Sequence, residues 1–188
     1  MNWRKQPLAQ LVVQLSLKLT LMENDSFFRE ILGEKMTIFS TPEEEAVRVE
    51  LAETNGYIID GLQLRDQFVV YKTDAIYLMN YVGSFYVQSF QPVSRSQGLM
   101  SANCVVEANQ MHFCVGQRDI YVFDGQSTQS IAEGRVKAKF FAELDETRKY
   151  LVFMSHNLSD HEVWIHYPTL DSTGCEDAYV YKYEENIW

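Results

Sequence analysis

Phe68-Val69-Val70-Tyr71-Lys72-Thr73-Asp74-Ala75-Ile76-Tyr77-Leu78-Met79 consists of two apolar runs separated by a short polar break. Aromatic and β-branched side chains fit a pleated surface, and a break this short turns the chain back on itself. The stretch therefore reads as a β-hairpin. The same pattern continues on both sides of it. Strands are expected at Tyr57–Asp60, Gln67–Lys72, Ala75–Val82, Ser84–Gln91, Asn103–Ala108 and Met111–Val115. Others follow at Asp119–Phe123, Ser127–Ile131, Val136–Leu144, Tyr150–Ser155, Glu162–Tyr167 and Ala178–Tyr183. They begin about every 8–12 residues with turn signals between them, which marks an all-β domain. Asn109-Gln110 and Gln117-Arg118 close further hairpins. In Asp124-Gly125 the glycine takes positive φ at no steric cost.

The hairpin also has a faint copy. Phe68–Met79 can be laid on His112–Phe123 with one gap at Ala75, sharing an apolar strand, a polar turn ending in aspartate and an Ile-Tyr pair. Tyr150–Ser155 with Val163–Tyr167 offers a weaker third copy. A hairpin recurring about every 40–45 residues is what the blades of a β-propeller produce. The expectation is a mainly β fold of propeller-like antiparallel hairpins, a partial propeller, over residues 49–188.

Residues 1–48 read as a separate mixed segment. Leu11, Val13, Leu15, Leu17, Leu19 and Leu21 alternate with polar partners, the period of a half-buried strand. Asp25 or Ser26 caps a short helix through Phe27, Phe28, Ile31 and Leu32, with Gly33 past its end. Thr41-Pro42-Glu43-Glu44 starts one helical turn before Val47, Val49 and Leu51 alternate again. Arg4 and Lys5 precede an apolar stretch, but Gln14, Ser16, Lys18 and Thr20 interrupt it. Neither a signal peptide nor a membrane span is expected there.

Composition narrows the function classes. A chain of 188 residues and 21.9 kDa buries about 70% of its extended surface on folding, enough for one core without disulfides. Hydrophobic residues at 46% and charged residues at 22% exclude disorder. A net charge of -10 disfavours nucleic acid or an anionic membrane as the main partner, since both need clustered Lys and Arg. Acids outnumber bases ten to three over residues 23–60 and again over 141–188, flanking a nearly balanced middle. Cys104, Cys114 and Cys175 form no metal-binding spacing and read as free thiols.

Together, Ile59-Asp60-Gly61-Leu62-Gln63-Leu64-Arg65-Asp66, Val70-Tyr71-Lys72, Tyr81-Val82-Gly83 and Asn103-Cys104-Val105 form an ordered set of motifs. It continues through Asp119–Gln126, Ile131–Val136, Glu162–Pro168, Ser172–Cys175 and Val180–Trp188. In this order the motifs resemble the tail-hub proteins of short-tailed phages, also called nozzle or phage-stabilisation proteins. The resemblance covers about 140 residues and leaves residues 1–48 unmatched. It implies a propeller-like virion structural protein, made in the bacterial cytoplasm and assembling in several copies below the portal and adaptor. There it forms part of the tail channel through which DNA leaves. It implies no catalysis, cofactor, membrane contact or small-molecule substrate. Such hubs generally continue past the position of Trp188 into further strands. Missing blades leave sheet edges open, and residues 8–39 are expected to cap one. The rival reading is a carbohydrate- or protein-binding β module, such as a receptor-binding piece.

No constellation of residues calls for chemistry. His156, His161 and His166 sit near Asp160 and Glu162, but alternation puts 161 and 166 on opposite faces of a strand, against a metal site. Asp60-Gly61 and Asp124-Gly125 read as turn aspartates bonding their own backbone at strand ends, not as paired carboxylates. There is no nucleophile elbow and no phosphate-cradling glycine loop. Gly134 opens the one basic stripe. On a strand, Arg135, Lys137 and Lys139 share a face opposite Val136, Ala138 and Phe140. That is either a solvated face or a contact with passing DNA or an acidic neighbouring subunit. Trp164 reads as a core residue sharing its face with His166, with an exposed binding platform as the alternative. The motif ends at Trp188.

Overall fold

The structure, a computed structural model, describes residues 35–38, 47–51, 53–81, 88–132 and 134–188. Lys35–Ile38 (β1) and Val47–Glu50 (β2) form an antiparallel ribbon. The break expected between residues 48 and 49 falls inside β2. Three larger antiparallel sheets follow, each a simple meander. The first is Ile58–Leu64 (β3), Gln67–Lys72 (β4), Ile76–Tyr81 (β5) and Gln88–Ser94 (β6). The second is Val105–Ala108 (β7), Met111–Val115 (β8), Ile120–Phe123 (β9) and Thr128–Ser130 (β10). The helix Arg135–Glu143 (α1) and a 3-10 turn over Glu146–Leu151 lead to the third: Phe153–Asn157 (β11), Glu162–Tyr167 (β12) and Asp177–Lys182 (β13). The fold is mainly β, and the three sheets do not close on themselves.

The opening hairpin is β4 and β5, with Tyr71 opposite Ile76 and Phe68 opposite Met79. Its apolar runs are continuous because both faces of these strands are buried. Val69, Tyr71, Ile76 and Leu78 point into the main core. Phe68, Val70, Tyr77 and Met79 point the other way, into a second cluster with Leu51 and Ile58. Each such side chain contributes roughly 1.5–3 kcal/mol on burial. The hairpins at Thr73-Asp74, Asn109-Gln110 and Gln117-Arg118 lie where the turn residues indicate. Asn109 and Gln110 both take positive φ (51° and 60°), the twist a two-residue loop needs.

The faint repeat falls on equivalent strands. Phe68–Met79 and His112–Phe123 are the second and third strands of the first two sheets. The third copy is out of phase. Tyr150 belongs to the 3-10 turn, and Val163–Tyr167 lies in the second strand of its sheet, not the third.

Val136–Leu144 is a correction, since residues 135–143 are helical. Val136, Ala138 and Phe140 alternate, which suggested a strand, but Val136, Phe140 and Leu144 also recur every fourth residue. That spacing aligns one face of a helix. Arg, Lys, Ala and Glu are strong helix formers, and Phe140 in the helix and Leu144 at its C-cap are both buried. Phe140 packs edge-on to Phe141 (5.0 Å) and Tyr179 (5.8 Å) and tilted against Tyr167 (5.1 Å). Glu143 accepts hydrogen bonds from the hydroxyls of Tyr167 (3.0 Å) and Tyr179 (3.2 Å). α1 is therefore clamped to the core face of the third sheet.

The segment expected at residues 11–21 and the short helix near Phe27 lie outside the described residues, as does most of the expected edge cap over 8–39. The described part of that cap, β1, pairs with β2 and joins none of the three larger sheets.

Candidate functional site

Hairpin turns from two sheets converge at one end of the molecule. The β4–β5 turn carries Thr73 and Asp74, and the β8–β9 turn carries Gln117, Arg118 and Asp119. With Tyr57, the loop around Gln97, Lys137 of α1 and the 3-10 turn, they enclose an open polar cleft of about 920 Å³. Its walls are braced. The Gln117 amide donates to the carbonyls of Leu99 (3.1 Å) and Met100 (3.3 Å), and its oxygen accepts from Lys149 Nζ (3.1 Å). Asp119 Oδ1 accepts from the Ile120 N–H (2.9 Å) and Ser130 Oγ (2.8 Å) and pairs with Lys137 Nζ at 2.9 Å. Gly98 brings the connecting loop against the β4–β5 turn. A Cβ there would lie 2.2 Å from the Lys72 carbonyl oxygen.

The expected basic stripe is not a stripe. In a helix, residues 135 and 137 are about 200° apart around the axis, so Arg135 and Lys139 share a side and Lys137 leaves it. Lys137 turns to Asp119 in the cleft wall. Lys139 lies 3.6 Å from Glu143 and over the Tyr179 ring. Arg135 is exposed beside Gly134, whose φ of 56° marks the helix start. The helical period thus separates Lys137 from Arg135 and Lys139, and the three cations do not form one face.

Asp60-Gly61 also differs from its expected place. It lies inside β3 at a register shift, not at a strand end. Asp60 Oδ1 accepts from its neighbour Gly61 N–H (2.8 Å), while Oδ2 reaches across to the Asn103 N–H (3.0 Å). The Asn103 carbonyl in turn accepts from Met154 N–H at 2.9 Å. The first strands of the three sheets are in contact in series, β3 with β7 and β7 with β11. Asp60 thus ties the first sheet to the chain entering the second, and the Asn103 backbone carries the link on to the third. Asp124 does sit in a turn. It accepts from the N–H groups of Gln126 and Ser127, both at 2.7 Å, and these bonds hold its carboxyl below the usual carboxylate range. Gly125 beside it takes a φ of 99°.

Trp164 is not a core residue. In β12 the buried side chains are Val163, Ile165 and Tyr167, so Glu162, Trp164 and His166 line the opposite face. Trp164 shares that face with His166 and donates from Nε1 to Glu162 (3.0 Å). His166 stacks on Phe153 (4.4 Å) and on Trp164 (6.0 Å), giving a half-open aromatic row. Trp188 packs against Tyr181 and donates from Nε1 to the Ile131 carbonyl (2.8 Å), fastening the third sheet to the end of the second.

His156 and His161 both meet the Tyr183 hydroxyl, at 3.2 and 3.1 Å. Among the described residues no group of His, Cys, Asp or Glu is arranged to hold a metal ion. The fourth histidine, His112, which opens the second copy of the repeated hairpin, is fully buried. A carbonyl can only accept, so His112 Nε2–H donates to Gln63 C=O (2.9 Å). Nδ1 then accepts from the Tyr71 hydroxyl (2.9 Å), and the Cys114 thiol donates to Tyr71 at 3.5 Å. Burial holds the imidazole below its ordinary pKa and keeps it neutral. Burial also pushes the Cys104 and Cys114 thiols up to about 11 and about 12. All three cysteines are free.

Comparison with models of protein families finds no family that matches this chain. A search of curated proteins finds no matching relative.

Proposed function

We propose that this chain is a non-enzymatic structural component of a short-tailed phage or prophage tail. It would act as a hub or nozzle piece that assembles in several copies below the portal and adaptor and walls the DNA channel. The observation that carries the reading is the serial contact of the first strands β3, β7 and β11, braced through Asp60, Asn103 and Met154. Successive meanders that meet at their first strands are the repeating relation of propeller blades around an axis. A partial propeller of this kind is a stiff wedge, and a wall needs stiffness rather than a reactive group. The ordered motifs from Ile59 to Trp188 support the same reading, as does the half-open face of Phe153, Trp164 and His166, which offers surface to a neighbour.

The test is light scattering on the purified chain, alone and mixed with a portal–adaptor ring. Self-association into a defined oligomer, or co-migration with the ring, is expected. A monomer that binds neither overturns the proposal.

A further inference from the structure

The cleft between the hairpin turns differs from a mere gap between sheets in its composition and rigidity. Its volume of about 920 Å³ falls within the ~300–1,000 Å³ of small-ligand pockets. Its charges balance. Lys137 is neutralised by Asp119 at 2.9 Å, leaving Arg118 and Lys149 on one side of the account and Asp74 and Glu146 on the other. Neither a phosphate-bearing ligand nor a polycation finds a field there. What the lining does offer is a mixture of donors and acceptors. Lys149 keeps two of its three protons free after the bond to Gln117. Gln97 presents an amide, Ser96 a hydroxyl and Asp74 a carboxylate. Groups that both donate and accept at short intervals match such a wall, and the vicinal hydroxyls of a sugar are of that kind. At the rim, Tyr57 leaves 60% of its surface exposed. An exposed aromatic ring beside a polar pocket supplies a flat apolar partner for the C–H face of a sugar ring.

We infer that this cleft binds a neutral carbohydrate, with Tyr57 stacking on a pyranose ring and Gln97, Asp74 and Lys149 bonding its hydroxyls. The bracing of Gln117 and Asp119 sets the wall before the ligand arrives, so little ordering is left to oppose binding. This site is independent of the assembly proposed above and would stand if that assembly failed.

Saturation-transfer NMR with maltohexaose, cellohexaose and chitohexaose tests it, with adenosine triphosphate as the charged comparison. Transfer to at least one of the sugars is expected, with affinity about tenfold weaker in Tyr57→Ala and in Gln97→Ala. Both positions are outside the core, and an unchanged urea midpoint verifies that each variant is folded. Absence of transfer to all three sugars overturns the inference. So does transfer that Tyr57→Ala leaves at wild-type strength, or preferential binding of the nucleotide.

Discussion

Replacing Tyr71 by Phe tests the buried network between the first two sheets. The substitution removes one oxygen and leaves the ring that packs in the main core. It deprives His112 Nδ1 of its donor and leaves the Cys114 thiol only Tyr121 beside it, and both groups are sealed from water. An orphaned buried acceptor costs about 1–3 kcal/mol, whereas an exposed Tyr→Phe change stays within about 0.5 kcal/mol. For a chain of this length, the loss lowers Tm by roughly 2–4 °C per kcal/mol. Urea denaturation of Tyr71→Phe beside Tyr57→Phe, whose hydroxyl stands on an exposed side chain, measures the difference directly. A common m-value licenses the comparison. The wild-type protein carries a second signature. His112 titrates lower in the folded chain than its ordinary 6.5, so below that pH the unfolded chain binds more protons. The His112 contribution to stability is therefore full above pH 6.5 and declines as pH falls through that value, and His112→Phe removes this contribution while that of His166, also lowered by burial, remains. Equal midpoints for Tyr71→Phe and Tyr57→Phe would refute the hydrogen-bonding assignment.

Three further outcomes follow from the packing. Phe140→Ala empties the contact between α1 and the third sheet and costs about 3–5 kcal/mol, while Trp164→Ala, on the outward face, costs about 1 kcal/mol; equal losses would put Trp164 back in the core. Gly98→Ala drives a methyl into the backbone of Lys72 and Thr73, exceeding the ~1–3 kcal/mol usual for overpacking; a midpoint unchanged in urea would contradict the close approach. At pH 8, a thiol reagent modifies half-buried Cys175 in the folded protein, while Cys104 and Cys114 react only as the chain unfolds. Early modification of either buried thiol, followed by mass spectrometry of the tryptic peptides, would count against the packing of the second sheet.

Much of the fold was legible in the chain because strands and short turns are local. Phe68–Met79 specifies its hairpin with its own apolar runs and the Thr73-Asp74 break, and Glu162–Tyr167, expected from strand spacing and turn signals, is β12 with those bounds. The candidate cleft was half legible. Thr73-Asp74 and Gln117-Arg118 were each visible as turns, and the faint repeat placed them at matching points. That they face one another across a pocket with Tyr57 and Lys149 depends on how two sheets stack, and no local pattern encodes that.

Tertiary structure decided where the local signals were degenerate. Residues 136–144 satisfy a period of two and a period near four at once, and the pocket formed by Tyr167 and Tyr179 selects the helix, because only there does Phe140 lose its water. Alternation fixed that Trp164 opposes Val163 and Ile165, but either face of β12 is apolar enough to pass for the inner one. The main core, with Phe140 of α1 packed against Tyr167, takes Val163, Ile165 and Tyr167. Sequence determined the strands, the turns and the alternation within each strand, since these depend on residues within a few positions. Which face is inside depends on which other elements pack against it, and burial is settled only when that surface is in place.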